Sequence, residues 1–129
     1  MLGNHLLGLY EKALPPGLRW EERLLAAKEL GFDSLAITDH GVMYGAVAFY
    51  EACVKEGIKP IIGCEVYVAP RGRTRFQKVH EFDSSFHHLV LLCRNEEGYR
   101  NLSYMVSQAF LEGFYIKPRI DLDLLREHC

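Results

Sequence analysis

The fold is decided by residues 34–68, which read SLAITDHGVMYGAVAFYEACVKEGIKPIIGCEVYV. The apolar run at residues 34–38 predicts a buried strand, and residues 59–69, rich in Ile and Val, predict another. Between them, residues 45–56 repeat apolar side chains at helical spacing, and Gly57 predicts the end of that helix. A strand, a helix and a strand in this order indicate a βαβ unit with parallel strands.

Further elements are predicted on both sides of this unit. They are a strand at 6–10, a helix at 20–30, a strand at 88–93, a helix capped by Asn95 and ended by Gly113, and a short helix at 122–127. The predicted class is α/β, with a parallel four-stranded sheet of the kind found in (βα) barrels. Four strands cannot close a barrel, so open edges and an open face predict self-association into a homo-oligomer.

Length and composition exclude several classes of protein. The chain has 129 residues, about half apolar, which predicts one domain over residues 1–129. A net charge of -2 gives no global positive field to attract DNA. No apolar run approaches the roughly 20 residues of a membrane span, and residues 1–10 do not resemble a signal peptide, so a cytoplasmic protein is expected.

The four cysteines are spaced far apart, without the paired spacing of zinc ligands. They are predicted to be buried, reduced thiols, and they are Cys53, Cys64, Cys93 and Cys129. Residues 70–86 are polar and have no clear period, which predicts a mobile surface loop. The basic cluster in this segment fits a solvated loop better than a DNA contact, although both interpretations stay open; its members are Arg71, Arg73, Arg75 and Lys78.

Three polar side chains on successive predicted strands could converge on a metal ion. His40 follows the first strand of the βαβ unit, at the edge where parallel sheets place ligands. Glu65 lies inside an apolar strand, where a carboxylate needs a cation or hydrogen-bond donors. His88 lies beside His87, and alternation alone does not say which of the two points inward. Imidazole and carboxylate are usual ligands of zinc, manganese or iron. The alternative is that Lys or Arg neutralises Glu65 and that the histidines are structural.

Several strings match a known family in order. They are SLAITDHG at 34–41, YGAVAFY at 44–50, GIKPIIGCEVYV at 57–68, HLVLLCR at 88–94 and EGFYIKPRI at 112–120. Residues 28–128 thereby resemble the polymerase and histidinol phosphatase (PHP) domain of bacterial DNA polymerase III alpha subunits.

The resemblance implies a distorted (βα)7 barrel, of which this chain would hold about half. Such domains hold up to three metal ions and hydrolyse phosphoesters, in some polymerases as a proofreading 3′ to 5′ exonuclease, while others are degenerate scaffolds. It places His40, Glu65 and His88 on metal-ligand positions and Asp39 in the same motif. It implies a role in DNA replication and a divalent metal as cofactor.

The departures from the family pattern predict an incomplete metal site. The family begins with a His-x-His strand and a later Asp, and these positions are here Leu6, Gly8 and approximately Pro15. His5 is one residue out of register, which places it on the opposite face of a strand. The family's final Asp-x-His would lie beyond Cys129. We therefore expect an inactive fragment, with no catalytic residue assigned.

The first residues have a resemblance of their own. Residues 7–33, including GLYEKALP at 8–15 and WEERL at 20–24, resemble the opening strand and helix of bacterial L-xylulose 5-phosphate 3-epimerases. This suggests an engineered chimera, with residues 1–33 epimerase-like and residues 34–129 forming the PHP core. Three functions then compete: a phosphoesterase fragment, a non-catalytic scaffold made of barrel pieces, and a sugar-phosphate epimerase.

Overall fold

The computed structural model describes residues 19–71 and 74–129. The strand predicted at 6–10, and His5, Leu6, Gly8 and Pro15, lie outside the described residues. The elements within them are, in chain order, α1 (Trp20–Glu29), β1 (Ser34–His40), α2 (Ala46–Glu56), β2 (Lys59–Val68), α3 (His80–Asp83), β3 (His87–Leu92), α4 (Glu96–Leu111), β4 (Arg119–Ile120) and α5 (Leu122–His128).

The predicted helix boundaries are confirmed at two places where the chemistry of the cap is visible. Gly57 ends α2 in the left-handed conformation, with φ of 72°, and its N–H donates to the carbonyl of Val54. The Asn95 side chain caps α4 by accepting a hydrogen bond from the N–H of Gly98 at 2.9 Å. In each case the capping residue and its hydrogen-bond partner are three residues apart in the sequence. Such local signals can be recognised from the sequence alone.

The α/β class is confirmed, but the predicted all-parallel sheet is wrong. β1 and β4 run parallel to β2, whereas β3 runs antiparallel to it. Tyr67 and Val68 of β2 pair with both β3 and β4. Each strand has two edges, so β4 must continue the edge of β2 that β1 occupies. The result is a mixed four-stranded sheet with β2 at its centre.

The direction of β3 follows from the connection that precedes it. A parallel neighbour needs a crossover, usually made by a helix that packs back on the sheet. In the described part of the connection between β2 and β3, the four-residue α3 is the only helix, and the chain enters the sheet again beside β2 in the opposite direction. The apolar pattern of β3 predicted a strand, but the pattern carries no information about direction.

One face of the sheet carries the helices and the core. Side chains alternate along β2, and Cys64, Val66 and Val68 pack on this face against Leu102 and Met105 of α4. A second cluster joins α1, β1 and α2. Its buried members are Leu24, Ala27, Leu35, Phe49, Cys53 and Ile58. The opposite face, which we call the histidine face, is defined by His40, Glu65 and His88 together with Tyr67.

The segment predicted as a mobile polar loop has a buried centre in the described part, residues 70–71 and 74–86. The Asp83 side chain is fully buried, and both of its oxygens accept hydrogen bonds from the Arg71 guanidinium, at 2.8 and 2.9 Å. The fully buried Arg119 of β4 donates to the carbonyls of Asp83, Arg75 and Gln77 in this segment. Buried polar groups thus fasten the segment to the sheet, and β3 begins immediately after it.

Arg119 also fixes the end of α4. Its Nε donates to the carbonyl of Gly113 at 3.2 Å. A Cβ atom at residue 113 would lie 1.9 Å from the carbonyl oxygen of Arg119, so only glycine allows this close approach of two backbones. One guanidinium therefore joins β4, the end of α4 and the connection to β3.

Candidate metal centre

Three strands bring the predicted ligands to one end of the histidine face. His40 is the last residue of β1 and pairs directly with Glu65 of β2. His88 pairs with Tyr67, two residues beyond Glu65, so His88 and Glu65 are diagonal neighbours on the same face. Because β3 is antiparallel to β2, the first residues of β3 lie beside the carboxyl-terminal half of β2. The antiparallel direction thus brings His88 to the ligands that the sequence had placed with it.

The register also answers which histidine of the pair joins the site. His87 pairs with Val68, whose side chain packs in the core on the opposite face. Successive residues of a strand point to opposite faces, so only His88 lies on the histidine face.

Glu65 connects the two histidines. Its Oε1 contacts Nδ1 of His88 and lies 3.4 Å from Nδ1 of His40. The exposed fractions of the side chains are 34% for His40, 17% for Glu65 and 52% for His88, so the carboxylate is covered while the imidazoles face outward. Among the described residues, no Lys or Arg forms an ion pair with Glu65. The alternative in which a basic side chain neutralises Glu65 therefore finds no support among the described residues.

The donor atoms fit a single cation. One ligand atom from each of His40, Glu65 and His88 lies within 4.8 Å of the others. Nitrogen and carboxylate oxygen bind zinc at about 2.0–2.2 Å, so two ligands of one ion are separated by roughly 3–4 Å. The three residues make a mixed imidazole and carboxylate set, the donor chemistry of zinc, manganese and iron sites.

Asp39 lies away from these three donors. It pairs with Cys64, so its side chain is on the helix-covered face, and it is 2% exposed. Its Oδ2 accepts a hydrogen bond from the N–H of Gly45 at 3.0 Å, at the start of α2, while Oδ1 is buried without a hydrogen-bond partner. Burial raises the pKa of Asp39, and the Gly45 N–H opposes this rise. The carboxylate fixes the loop that leaves β1 directly after His40.

Cys64 is adjacent to Glu65 in the sequence, but its side chain lies on the opposite face of the sheet. Its thiol points into the helix-covered core, and burial raises its pKa to about 12, so it stays protonated at neutral pH. A protonated thiol is neither a metal ligand nor a nucleophile. All four cysteines are free thiols in the structure, but only Cys53 and Cys64 are buried, so the predicted burial is wrong for Cys93 and Cys129.

Sequence reasoning missed the aromatic side chains of Tyr67 and Phe86, which border the site beside His88. The Tyr67 ring is 5% exposed and makes edge contacts with Phe86 and His88, with ring centroids 5.0 and 5.2 Å apart. Burial raises the pKa of the Tyr67 hydroxyl, and the Glu65 charge adds to this rise. The signal was present in the alternation of β2, because residues 65 and 67 must share a face.

Two arginines of the basic cluster at residues 71–78 pair with carboxylates, while Lys78 is exposed. Arg71 pairs with Asp83, and Arg75 pairs with Asp121 at 3.0 Å. Arg73 lies outside the described residues. The two described arginines are thus structural ion pairs, and the hypothesis of a DNA contact has no support from either.

Comparison with known proteins identifies relatives over most of the chain. The PHP domain family matches residues 18–129. The DNA polymerase III subunit alpha of Chlamydia pneumoniae is 58% identical over 102 residues, which are 78% of this chain and 8% of that protein. That of Treponema pallidum is 51% identical over 103 residues, 80% of this chain and 9% of that protein. That of Thermus aquaticus is 50% identical over 96 residues, 74% of this chain and 8% of that protein.

The chain therefore spans less than a tenth of the length of these relatives. The family match begins at residue 18 and includes α1, which the sequence had assigned to an epimerase-like segment. No helix in residues 19–71 or 74–129 is long and apolar enough to cross a membrane.

Proposed function

Because this chain belongs to the PHP domain family, we propose that it is a divalent-cation-binding PHP module in which His40, Glu65 and His88 hold one ion. The observation that carries the proposal is the convergence of three ligand atoms from three strands within 4.8 Å. The relatives are named as DNA polymerase III alpha subunits, and we propose a place in that protein, and so in DNA replication, for the module.

A cation bound here would polarise a phosphoryl oxygen and lower the pKa of a bound water. The chain's own residues would supply the remainder of the site. Glu65 Oε1 contacts both imidazoles, Tyr67 covers the site from the side of His88, and Asp39 fixes the loop after His40. We propose Asp39 as a positioning residue and not as a ligand, since its carboxylate lies on the other face.

We also propose that phosphoester turnover by the isolated chain is negligible. The family positions of the opening His-x-His are Leu6 and Gly8, which cannot bind metal. Three ligands suit one ion, whereas phosphoester cleavage at paired ions uses a second cation to stabilise the leaving oxygen. A loss of about 4 kcal/mol of transition-state stabilisation already lowers a rate about a thousandfold.

Metal binding tests the proposal directly. The chain would be stripped with chelator and titrated with Mn²⁺ and Zn²⁺, while binding is followed by calorimetry and by the melting temperature. We expect one ion per chain, and an apparent gain of about 2.7 kcal/mol at a hundredfold excess over Kd. Glu65→Gln should weaken binding at least tenfold, whereas Glu51→Gln, an exposed carboxylate on α2, should bind like the parent.

A melting temperature that responds to neither metal nor chelator would contradict the proposal and favour the non-catalytic scaffold. Nucleotide release from single-stranded DNA should stay at background with Mn²⁺ present. Manganese-stimulated release that Glu65→Gln abolishes would instead establish an active phosphoesterase. Leu6→His combined with Gly8→His restores the family's first ligand pair and should tighten metal binding if incompleteness limits the site.

We further propose, as in the sequence-based expectation, that the described sheet is part of a distorted barrel and that its histidine face would be the barrel interior. Val90 and Leu92 on this face are 39% and 50% exposed, although both are apolar. Exposed apolar strand surface favours self-association. Light scattering should detect oligomers at high micromolar concentration, and a stable, well-folded monomer there would contradict this part of the proposal.

The epimerase-like start remains a separate proposal, because the family match leaves only residues 1–17 outside it. We infer that these residues come from a different source than the PHP core, as expected of a chimera. The support is the run at 8–15 and the absence of ligand residues at Leu6 and Gly8. No epimerisation of L-xylulose 5-phosphate is expected, and measurable turnover would revive the epimerase alternative.

A further inference from the structure

A strained turn beside the candidate metal centre presents a lysine. Residues 115–117 make a three-residue turn in which the N–H of Lys117 donates to the carbonyl of Tyr115 at 2.6 Å, and the N–H of Tyr115 donates back to the carbonyl of Lys117 at 3.0 Å. Its central residue, Ile116, has φ of 63°. It is the only residue other than glycine with positive φ among the described residues. A β-branched residue in this region is a marked outlier.

The turn places the Lys117 ammonium against the wall of the site. Nζ lies 5.5 Å from the centre of the Tyr67 ring, and the same ring makes an edge contact with His88. Lys117 itself is exposed, whereas the next residue, Pro118, is buried and packs close to Gly41, the residue after His40. The lysine is therefore anchored from both sides of the cluster: through Tyr67 to His88, and through Pro118 to the end of β1.

Among the residues that the structure describes, no carboxylate is paired with the Lys117 ammonium, in contrast to Arg71 and Arg75 of the neighbouring segment. A divalent ion bound by one carboxylate and two neutral imidazoles keeps a net positive charge. An ammonium beside such an ion adds to the attraction for an anion, and lysine is a common binder of phosphate.

From these contacts we propose that Lys117 is the anchor for the phosphate group of a ligand at the metal centre, such as a nucleoside monophosphate. This inference rests on the proposed function, because the cation and the ammonium would bind the same anion from two sides. The strain at Ile116 serves to hold the lysine there, as strained backbone does at other functional sites. Lys117 is a ligand-binding residue in this account, with no role in proton transfer.

The experiment uses the full chain loaded with Mn²⁺ and follows ³¹P relaxation of inorganic phosphate and of thymidine 5′-monophosphate. Lys117→Met removes the charge and keeps an unbranched chain over Tyr67. Lys117→Arg keeps the charge. The matched control is Lys59→Met, since Lys59 is also exposed, lies at the opposite end of β2 and changes the net charge equally. Mn²⁺ binding to every variant is measured separately by electron paramagnetic resonance.

We expect Lys117→Met to raise the Kd for both phosphates at least tenfold while Mn²⁺ affinity changes less than twofold. Lys117→Arg and Lys59→Met should bind phosphate within threefold of the parent. Equal phosphate binding by Lys117→Met and the parent, with Mn²⁺ bound to both, would overturn the assignment of Lys117 and leave the metal site standing. Failure of the parent to bind Mn²⁺ would overturn the proposed function and this inference with it.

Discussion

The buried guanidinium of Arg119 offers the sharpest test of how this fold is held together. It donates to four backbone carbonyls, those of Gly113, Asp83, Arg75 and Gln77. Arg119→Met would leave these acceptors without their donor inside the protein. Hydrogen bonds to charged groups contribute about 1.5–3 kcal/mol each, but four bonds that share one group are not additive. Loss of one partner of a buried charged network costs about 3–5 kcal/mol, and we expect a destabilisation in that range.

Urea unfolding of the parent and the variant, followed by far-ultraviolet circular dichroism, measures this difference in the free energy of unfolding. A domain of this size is stable by about 5–15 kcal/mol, so Arg119→Met should remain measurable at low temperature or be largely unfolded. Arg119→Lys keeps the charge but not the forked geometry and should fall between the two. Arg100→Met is the control, because its ion pair with Glu96 is 76% and 77% exposed and should change stability by less than about 0.5 kcal/mol.

Amide hydrogen exchange in the segment between β2 and β3 provides a second measurement on the same variants. Amide hydrogen exchange at residues 74–86 should accelerate in Arg119→Met more than exchange in α2, which accepts none of the four Arg119 hydrogen bonds. If Arg119→Met lies within about 1 kcal/mol of Arg100→Met, the guanidinium does not organise this part of the fold.

Two further predictions concern single residues. Ile116→Gly should stabilise the chain by about 0.5–1 kcal/mol. Removing the left-handed strain at Ile116 gains roughly 1–2 kcal/mol, but the greater conformational entropy of glycine in the unfolded chain offsets part of this gain. A lower midpoint of urea unfolding would contradict the strain at φ of 63°. Burial alone would raise the pKa of Asp83, but hydrogen bonds from Arg71 and the Val79 N–H outweigh it and hold that pKa below its ordinary value. A lowered folded-state pKa stabilises the fold at pH values above the ordinary Asp pKa of about 3.9, and this stabilisation is lost as the pH falls below it. Asp83→Asn should therefore be less stable than the parent at pH 7 in urea titrations. The difference should shrink towards pH 3.

The sequence by itself determined most of the described elements, although not α3 or β4, and the identity of the candidate ligands. Apolar periodicity located β1, β2 and the long helix α4, and the signals at Gly57 and Asn95 set helix ends within a residue or two. His40 and Glu65 could be predicted as neighbours because both lie towards the carboxyl ends of parallel strands of one βαβ unit. These conclusions depend on local chemistry, which a linear pattern carries.

Only the tertiary structure decided the direction of β3 and the residues that hold it. The apolar pattern at residues 88–93 is the same for a parallel and an antiparallel strand, so the pattern could not show whether His87 or His88 lies at the site. The pairing of β3 with β2 places His88 on the histidine face. Nor could the polar composition of residues 70–86 reveal that this segment is fastened to the sheet. Arg71 of the same segment binds the buried Asp83 carboxylate, but Arg119, which donates to the Asp83 carbonyl, lies 36 residues later in the chain. A buried charge is stable only where a distant segment supplies the opposite charge or the hydrogen bonds, and that meeting is a property of the folded chain.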